Sequence, residues 1–265
     1  QRVPLHRNIF VVYAENPSIR YSSFDWQWEP WDRPELRELR IRENLDEVVS
    51  GSRTEFDAQV KLLDYVAKRW RHNDPFPEFP GFDALSILNR IDTAGGGGYC
   101  LTFNNVLGGM CIAYGWQTRF VNVVGHEVVE VWNDEFGKWI FLDADFQDLY
   151  NYDPATATPL DLRELHERYL EYYYPRKSIN WLADTIDWKK LRDNDPPPVK
   201  PGLATPHGNV LLTGFINAAF MRLVTRNNWF EQPYPRPLSH GHGGYCPYPW
   251  DGYLNWYDDR TPPKR

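Results

Sequence analysis

The run "TRFVNVVGHEVVEVWNDEFGKWIFLDADF" (residues 118–146) decides the fold of this chain. Three stretches within it, 118–125, 126–132 and 138–146, are rich in β-branched and aromatic residues and alternate in polarity, so each is expected as a strand. "NDEFG" supplies turn residues between the second and third. Together they predict an antiparallel sheet. Pairing Trp132 with Gly137 across a loop at 133–136 puts His126 directly opposite Asp143, on one face and within imidazole–carboxylate reach. A register two residues longer puts Asp145 there instead, so spacing alone does not choose between the aspartates.

Just upstream lies "GGGGYCLTFNNVLGGMCIAYGW" (95–116). From Cys100 to Trp116 the apolar residues Leu101, Phe103, Val106, Leu107, Met110, Cys111 and Tyr114 recur at helical spacing. Gly108 and Gly109 each weaken a helix interior by about 1 kcal/mol relative to Ala, a cost tolerated where a buried helix needs a close neighbour. Four glycines before the cysteine exceed what a turn requires. They imply a close approach to the backbone, or conformations closed to residues with a Cβ. A cysteine at the first helical position meets unpaired N–H groups and the positive end of the dipole, which is expected to lower its pKa. Cys100 is therefore the candidate nucleophile, with His126 as base and Asp143 as orienting acceptor. The Cys100 N–H can hold an oxyanion, and Tyr99 or Trp70 could add a side-chain donor.

Working outward, "SRTEFDAQVKLLDYVAKRWRH" (52–72) predicts an amphipathic helix capped by Thr54, and "PELRELRIRENLDEVV" (34–49) a charged helical stretch. A loop at 73–83 leads to the apolar segment "ALSILNRI". Downstream, "PLDLRELHERYLEYY" (159–173) and an apolar stretch at 209–223 predict helices, separated by a Pro-rich linker at 192–206. The expected fold class is α+β, with helices packed on an antiparallel sheet. The expected organisation is a single domain over 1–265: an extended lead-in at 1–50, a core at 51–175, and a C-terminal extension at 176–265. The aromatic segment 226–257 is expected to fold over the cleft near Cys100 and His126.

Composition narrows the partners. The 265 residues carry a net charge of −7, which argues against nucleic acid. No run approaches the roughly 18 apolar residues of a membrane span. Some of the 12 Trp, 16 Tyr and 14 Phe must fill the core, and many sit in Pro- and Gly-rich stretches, where rings either pin loops to the body, the favoured reading, or line a ligand groove. Cys100, Cys111 and Cys246 make an odd count, leaving at least one thiol free within a single chain. A chain starting at Gln1 is expected to have had a leading segment removed or left out of the sequence, which does not by itself tell whether that segment was a signal peptide; the expected location is secreted or cell-envelope. No cofactor or metal is expected. "HEVVE" (126–130) on a strand cannot present its ends as a helical metal motif would, and "HGHGG" (240–244) lacks a third ligand nearby.

Four pieces resemble, in order, the transglutaminase-like superfamily: Gly98–Cys100, Gly115–Val121 ("GWQTRFV"), His126–Val131 ("HEVVEV") and Trp139–Asp143 ("WIFLD"). The resemblance spans about residues 54–146, and "TPLDLRELH" (158–166) is similar to a segment that often follows. It implies a papain-like core and a Cys100–His126–Asp143 triad. Asp143 is favoured over Asp145 because the family's Asp falls four residues after the position of Trp139. The implied activity is cysteine-dependent hydrolysis or acyl transfer at an amide or acyl bond. The lead-in and everything after about residue 175 match nothing in that family's core.

A second reading stays open. "RNNWFEQPYPRPLSHGHGGYCPYPWDGY" (226–253) would suit an acidic polysaccharide, and lyase chemistry needs a base, a carboxylate neutraliser and an acid. His126, Tyr99 or Tyr245, Asn227, Asn228, Arg226 and His240 could fill those roles. The candidate substrate-binding set is Tyr99, Trp132, Arg226, Asn227, Asn228, His240, His242 and Tyr245. The expected partner is a polymeric substrate, protein or acidic polysaccharide. A non-catalytic glycan-binding module is the third reading.

Overall fold

The computed structural model describes residues 20–21, 26–72, 80–94, 97–123, 126–145, 150–153, 155–165, 221–224, 227–231, 256–257 and 261–264. In chain order its elements are β1 (Arg20–Tyr21), α1 (Pro34–Arg42), α2 (Leu45–Val48), α3 (Glu55–Arg69), α4 (Ala84–Ala94) and α5 (Cys100–Ala113). Then follow β2 (Thr118–Val123), β3 (His126–Asn133), β4 (Lys138–Leu142), β5 (Tyr152–Asp153), β6 (Thr158–Pro159), β7 (Met221–Val224) and β8 (Trp256–Tyr257). The fold is α+β. None of the described helices is long and apolar enough to cross a membrane.

Helix α3 begins where Thr54 Oγ1 accepts the Asp57 N–H at 3.1 Å, and ends with Lys68 and Arg69 in its last turn. Charges of these signs complement the helix dipole. Its buried face is Ala58, Gln59, Leu62, Leu63 and Val66, spaced three and four apart. Helix α5 differs, because every residue from Cys100 to Ile112 is buried. It packs against α1, α3 and α4 on one side and β2 and β3 on the other. The interior glycines are what let it seat there. A Cβ on Gly108 would come within 2.7 Å of Phe120 Cζ on β2, and one on Gly109 within 2.9 Å of Ala84 Cβ on α4.

The main sheet runs β4-β3-β2-β7, and each of these neighbouring pairs is antiparallel. The outer strand β7 corrects the sequence expectation. Residues 221–224 pair with β2 as a strand, where a helix was expected at 209–223; residues 209–220 lie outside the described residues. Met221, Leu223 and Val224 suit a sheet edge as well as a helix face, and period alone does not separate the two in so short an apolar run.

The β3–β4 register is also corrected. Trp132 pairs with Trp139 and Asn133 with Lys138, two residues beyond the expected pairing. Asn133 stays in the strand, and its Oδ1 accepts the Phe136 N–H at 2.9 Å. The turn is therefore 134–137, closed by Gly137 at φ +63°. Carried onward, this register faces His126 with Asp145 and leaves Asp143 one diagonal step away.

The sheet's two faces differ. Val129, Val131, Ile140, Leu142 and Phe120 join the core beneath α5. On the other face the fully buried Arg119 donates from Nε to Glu130 Oε2 at 2.7 Å and lies 4.3 Å from the Trp139 ring centroid. Trp28 of the lead-in stacks on Trp139 with planes 9° apart. That aromatic is packing, not a ligand groove. Past β6, Asp161 Oδ1 accepts the Glu164 N–H at 2.7 Å while Glu164 Oε2 accepts the Asp161 N–H at 3.0 Å. This reciprocal cap starts a helical turn at 162–165. The helix expected from residue 159 thus begins after β6, and residues 166–173 lie outside the described residues.

Candidate active site

The site lies where the N-terminus of α5 meets the start of β3 and the end of β4. Gly97 and Gly98 carry φ of +112° and +122°, conformations that strain residues with a Cβ. At Gly98 a Cβ would also stand 2.4 Å from Thr102 Oγ1 and 3.0 Å from Trp70 Nε1. Thr102 Oγ1 accepts the Tyr99 N–H at 2.9 Å, fixing the helix entry. Two of the four glycines therefore have a physical reason. Gly95 and Gly96 lie outside the described residues.

His126 Nε2 lies 2.7 Å from Asp143 Oδ2, the ring N–H donating and the carboxylate accepting, so the diagonal reaches what the expected register would have placed directly opposite. Asp143 is held in turn. Its Oδ1 accepts Asn104 Nδ2 at 3.1 Å and the Asp145 N–H at 3.0 Å. Asn104 also donates to the Cys100 and Glu127 carbonyls and accepts the Ala144 N–H. One amide thus ties α5, β3 and the end of β4 together. Sγ of Cys100, a ring nitrogen of His126 and a carboxylate oxygen of Asp145 lie within 4.8 Å of one another.

The thiol's closest polar partner differs from expectation. Alternation along β3 turns Glu127, not His126, toward α5, and Cys100 Sγ donates to Glu127 Oε2 at 3.0 Å. Burial and the Glu127 carboxylate push the thiol pKa well up. The lowered pKa expected from the helix N-terminus is therefore overturned in this state, because loss of solvation and a neighbouring negative charge outweigh the dipole. Burial alone would lower the His126 pKa, but the Asp143, Asp145 and Glu127 carboxylates together more than offset it, Asp143 foremost, so the imidazole is raised. Asp145 is pushed up by burial and opposed by His72, whose Nδ1 lies 2.6 Å from Asp145 Oδ1.

The remaining sequence candidates are dispersed. Tyr99 is the half-buried N-cap residue of α5. Trp132 sits at the far end of β3, donating from Nε1 to Asp134 Oδ1 at 2.9 Å and packing edge-on to Trp139. Asn227 is a buried latch: it donates to Gln117 Oε1 and the Thr118 carbonyl and accepts the Glu29 N–H. Asn228 is also buried and bonds Glu231. Between them and the phenyl rings of Phe82 and Phe120 sits Trp229, in the core. Residues 227–229 thus pack beside β2, with both asparagine side chains buried. Arg226, His240, His242 and Tyr245 lie outside the described residues.

Sequence reasoning missed Glu127, Asn104 and His72. Asn104 was within reach, since a residue one turn after Cys100 shares its helical face. Glu127 was legible from strand alternation once the face of β3 against α5 was known.

Residues 42–144 match the family described as the transglutaminase-like superfamily. That span takes in α2 to α5, β2 to β4, and Cys100, His126 and Asp143. No match is found among curated proteins.

Proposed function

We propose that the transglutaminase-like domain carried by this chain is a cysteine-dependent enzyme acting on an amide or acyl bond, by hydrolysis or by transfer to an amine. The observation that carries this reading is the His126–Asp143 bond of 2.7 Å beside a thiol at the first position of a buried helix. Turning Sγ from Glu127 toward the imidazole exchanges an acceptor that holds the proton for one that can take it. The thiolate then attacks the carbonyl carbon as the imidazole gains the proton. The developing oxyanion would be met by the Cys100 N–H and by Trp70 Nε1, which is buried, has no hydrogen-bond partner among the described residues and stands next to Gly98. Collapse returns the proton to the leaving nitrogen and forms a thioester at Cys100. Water or an amine, deprotonated by His126, then releases the acyl group and regenerates the thiol. Asp143 fixes the imidazole tautomer and stabilises its charged form.

Ammonia release from a glutamine-containing peptide, with and without an added primary amine, tests this reading and separates hydrolysis from transfer. Cys100→Ala and His126→Ala are each expected to abolish turnover, with Asp143→Asn costing less than either. Full activity in Cys100→Ala with loss in His126→Ala would end the thiol mechanism.

A further inference from the structure

The same corner of the molecule holds more anionic and ligating groups than a Cys–His–Asp triad uses. Asp145 is the unexplained one. Its side chain is 1% exposed, its Oδ1 faces His72, and its Oδ2 is buried without a hydrogen-bond partner among the described residues. An orphaned buried carboxylate oxygen is costly unless something positive occupies the space before it.

We propose that Cys100, His126 and Asp145 form a Zn2+ site, with Glu127 Oε2 placed to close a fourth position, and that the metal-bound form is a silent state of the enzyme. The donor set of one sulfur, one imidazole nitrogen and carboxylate oxygens is what a tetrahedral Zn2+ accepts, and the soft thiolate selects it over Mg2+ or Ca2+. The three donor atoms lie within 4.8 Å of one another. Bond lengths near 2.0 to 2.3 Å require ligand separations of about 3.3 to 3.6 Å, so small side-chain rotations close the site. Glu127 Oε2 is already 3.0 Å from Sγ. His126 has one ring nitrogen tied to a carboxylate, the support that metal-ligating histidines commonly have. Binding replaces the thiol proton by the metal, and that proton leaves to solvent. The silencing rests on the acyl-transfer reading, since it takes nucleophile and base out of use together; the binding does not.

The test uses the full chain, freed of metal by chelation and titrated with Co2+ as a spectroscopic stand-in, then with Zn2+ in competition. One equivalent of Co2+ should give a thiolate-to-metal charge-transfer band, displaced by Zn2+. The band should vanish in Cys100→Ser, and affinity should fall at least tenfold in Asp145→Asn, a change of one atom that keeps side-chain size. Loss of the Asp143 support in Asp143→Asn should weaken binding about 10- to 100-fold. Cys246→Ser and the paired His240→Ala and His242→Ala variant should keep the band. Because a variant could fail to fold, Zn2+ should also protect Cys100 of the unaltered protein from alkylation, read by peptide mass. A band that survives Cys100→Ser, unchanged affinity in Asp145→Asn, or alkylation of Cys100 indifferent to Zn2+ would each overturn the site. Thioester formation measured without metal is scored separately, so a protein that binds Zn2+ but forms no thioester loses the enzymatic reading alone.

Discussion

Replacing Glu127 by Gln should make Cys100 more reactive, although it removes a group from the heart of the site. In the folded protein the thiol donates to Glu127 Oε2 at 3.0 Å, and ionising it would leave two negative charges in near contact. Glu127 is buried, so water screens the pair poorly. Coulomb attraction or repulsion at this range, with an effective dielectric near 20, is about 4 kcal/mol or more. A hydrogen bond to a charged group is worth about 1.5 to 3 kcal/mol, and we take that lower figure as the working magnitude. It corresponds to a fall in thiol pKa of about 1 to 2 units. At a fixed pH below the thiol pKa, the thiolate fraction should rise about 10- to 100-fold. Burial still acts in the variant, so the thiol remains above the ordinary range. The assay is the rate of alkylation by iodoacetamide at pH 8, with peptide mass assigning the label to Cys100 rather than to Cys111 or Cys246. A rate at Cys100 that is unchanged or slower in Glu127→Gln would refute the reasoning.

Gly98→Ala should destabilise the protein by several kcal/mol, because a positive φ and a Cβ 2.4 Å from Thr102 Oγ1 combine strain with overlap; a melting temperature within a degree of the original would contradict it. Asn104→Ala leaves Asp143 without one of its donors and Ala144 N–H without its acceptor. It should cost about 2 to 3 kcal/mol in denaturant unfolding, and lower turnover beyond what the unfolded fraction explains. Burial and the neighbouring Glu130 and Glu164 carboxylates raise the Asp161 pKa to about 6. The unfolded chain therefore gives up this proton first, and the fold loses stability as pH rises from about 4 to about 6. Asp161→Asn keeps the cap and removes that loss. The variant should match the parent in thermal melts at pH 4 and exceed it at pH 7 by about 1 to 3 kcal/mol; a gap independent of pH would contradict the assignment.

The fold was legible where period and punctuation agreed. Thr54 before an amphipathic run fixed the start of α3, and β-branched alternation fixed β2, β3 and β4. The register was not, because "NDEFG" allows the turn to begin at Asn133 or Asp134, and only the Asn133–Phe136 bond decides. That two-residue difference still left His126 able to reach Asp143, since diagonal neighbours on a sheet remain within side-chain range. The direction of the Cys100 pKa shift was read with the wrong sign. A helix N-terminus is visible in a sequence, but how deeply it is buried and which carboxylate turns toward it depend on packing. Strand β7 was missed because Met221–Val224 is too short for either period to assert itself and owes its conformation to the free edge of β2.

In the proposed mechanism Cys100 is the nucleophile and His126, held by Asp143, takes its proton. Intact mass after millisecond mixing with p-nitrophenyl acetate tests it most directly. The account predicts a single acetyl group, located at Cys100, formed in a burst by the unaltered protein, more slowly in Asp143→Asn and not at all in Cys100→Ala. In His126→Ala the burst should be lost while the protein stays folded. An acetyl group that forms as fast without His126, or turnover with Cys100 unmodified, would contradict it.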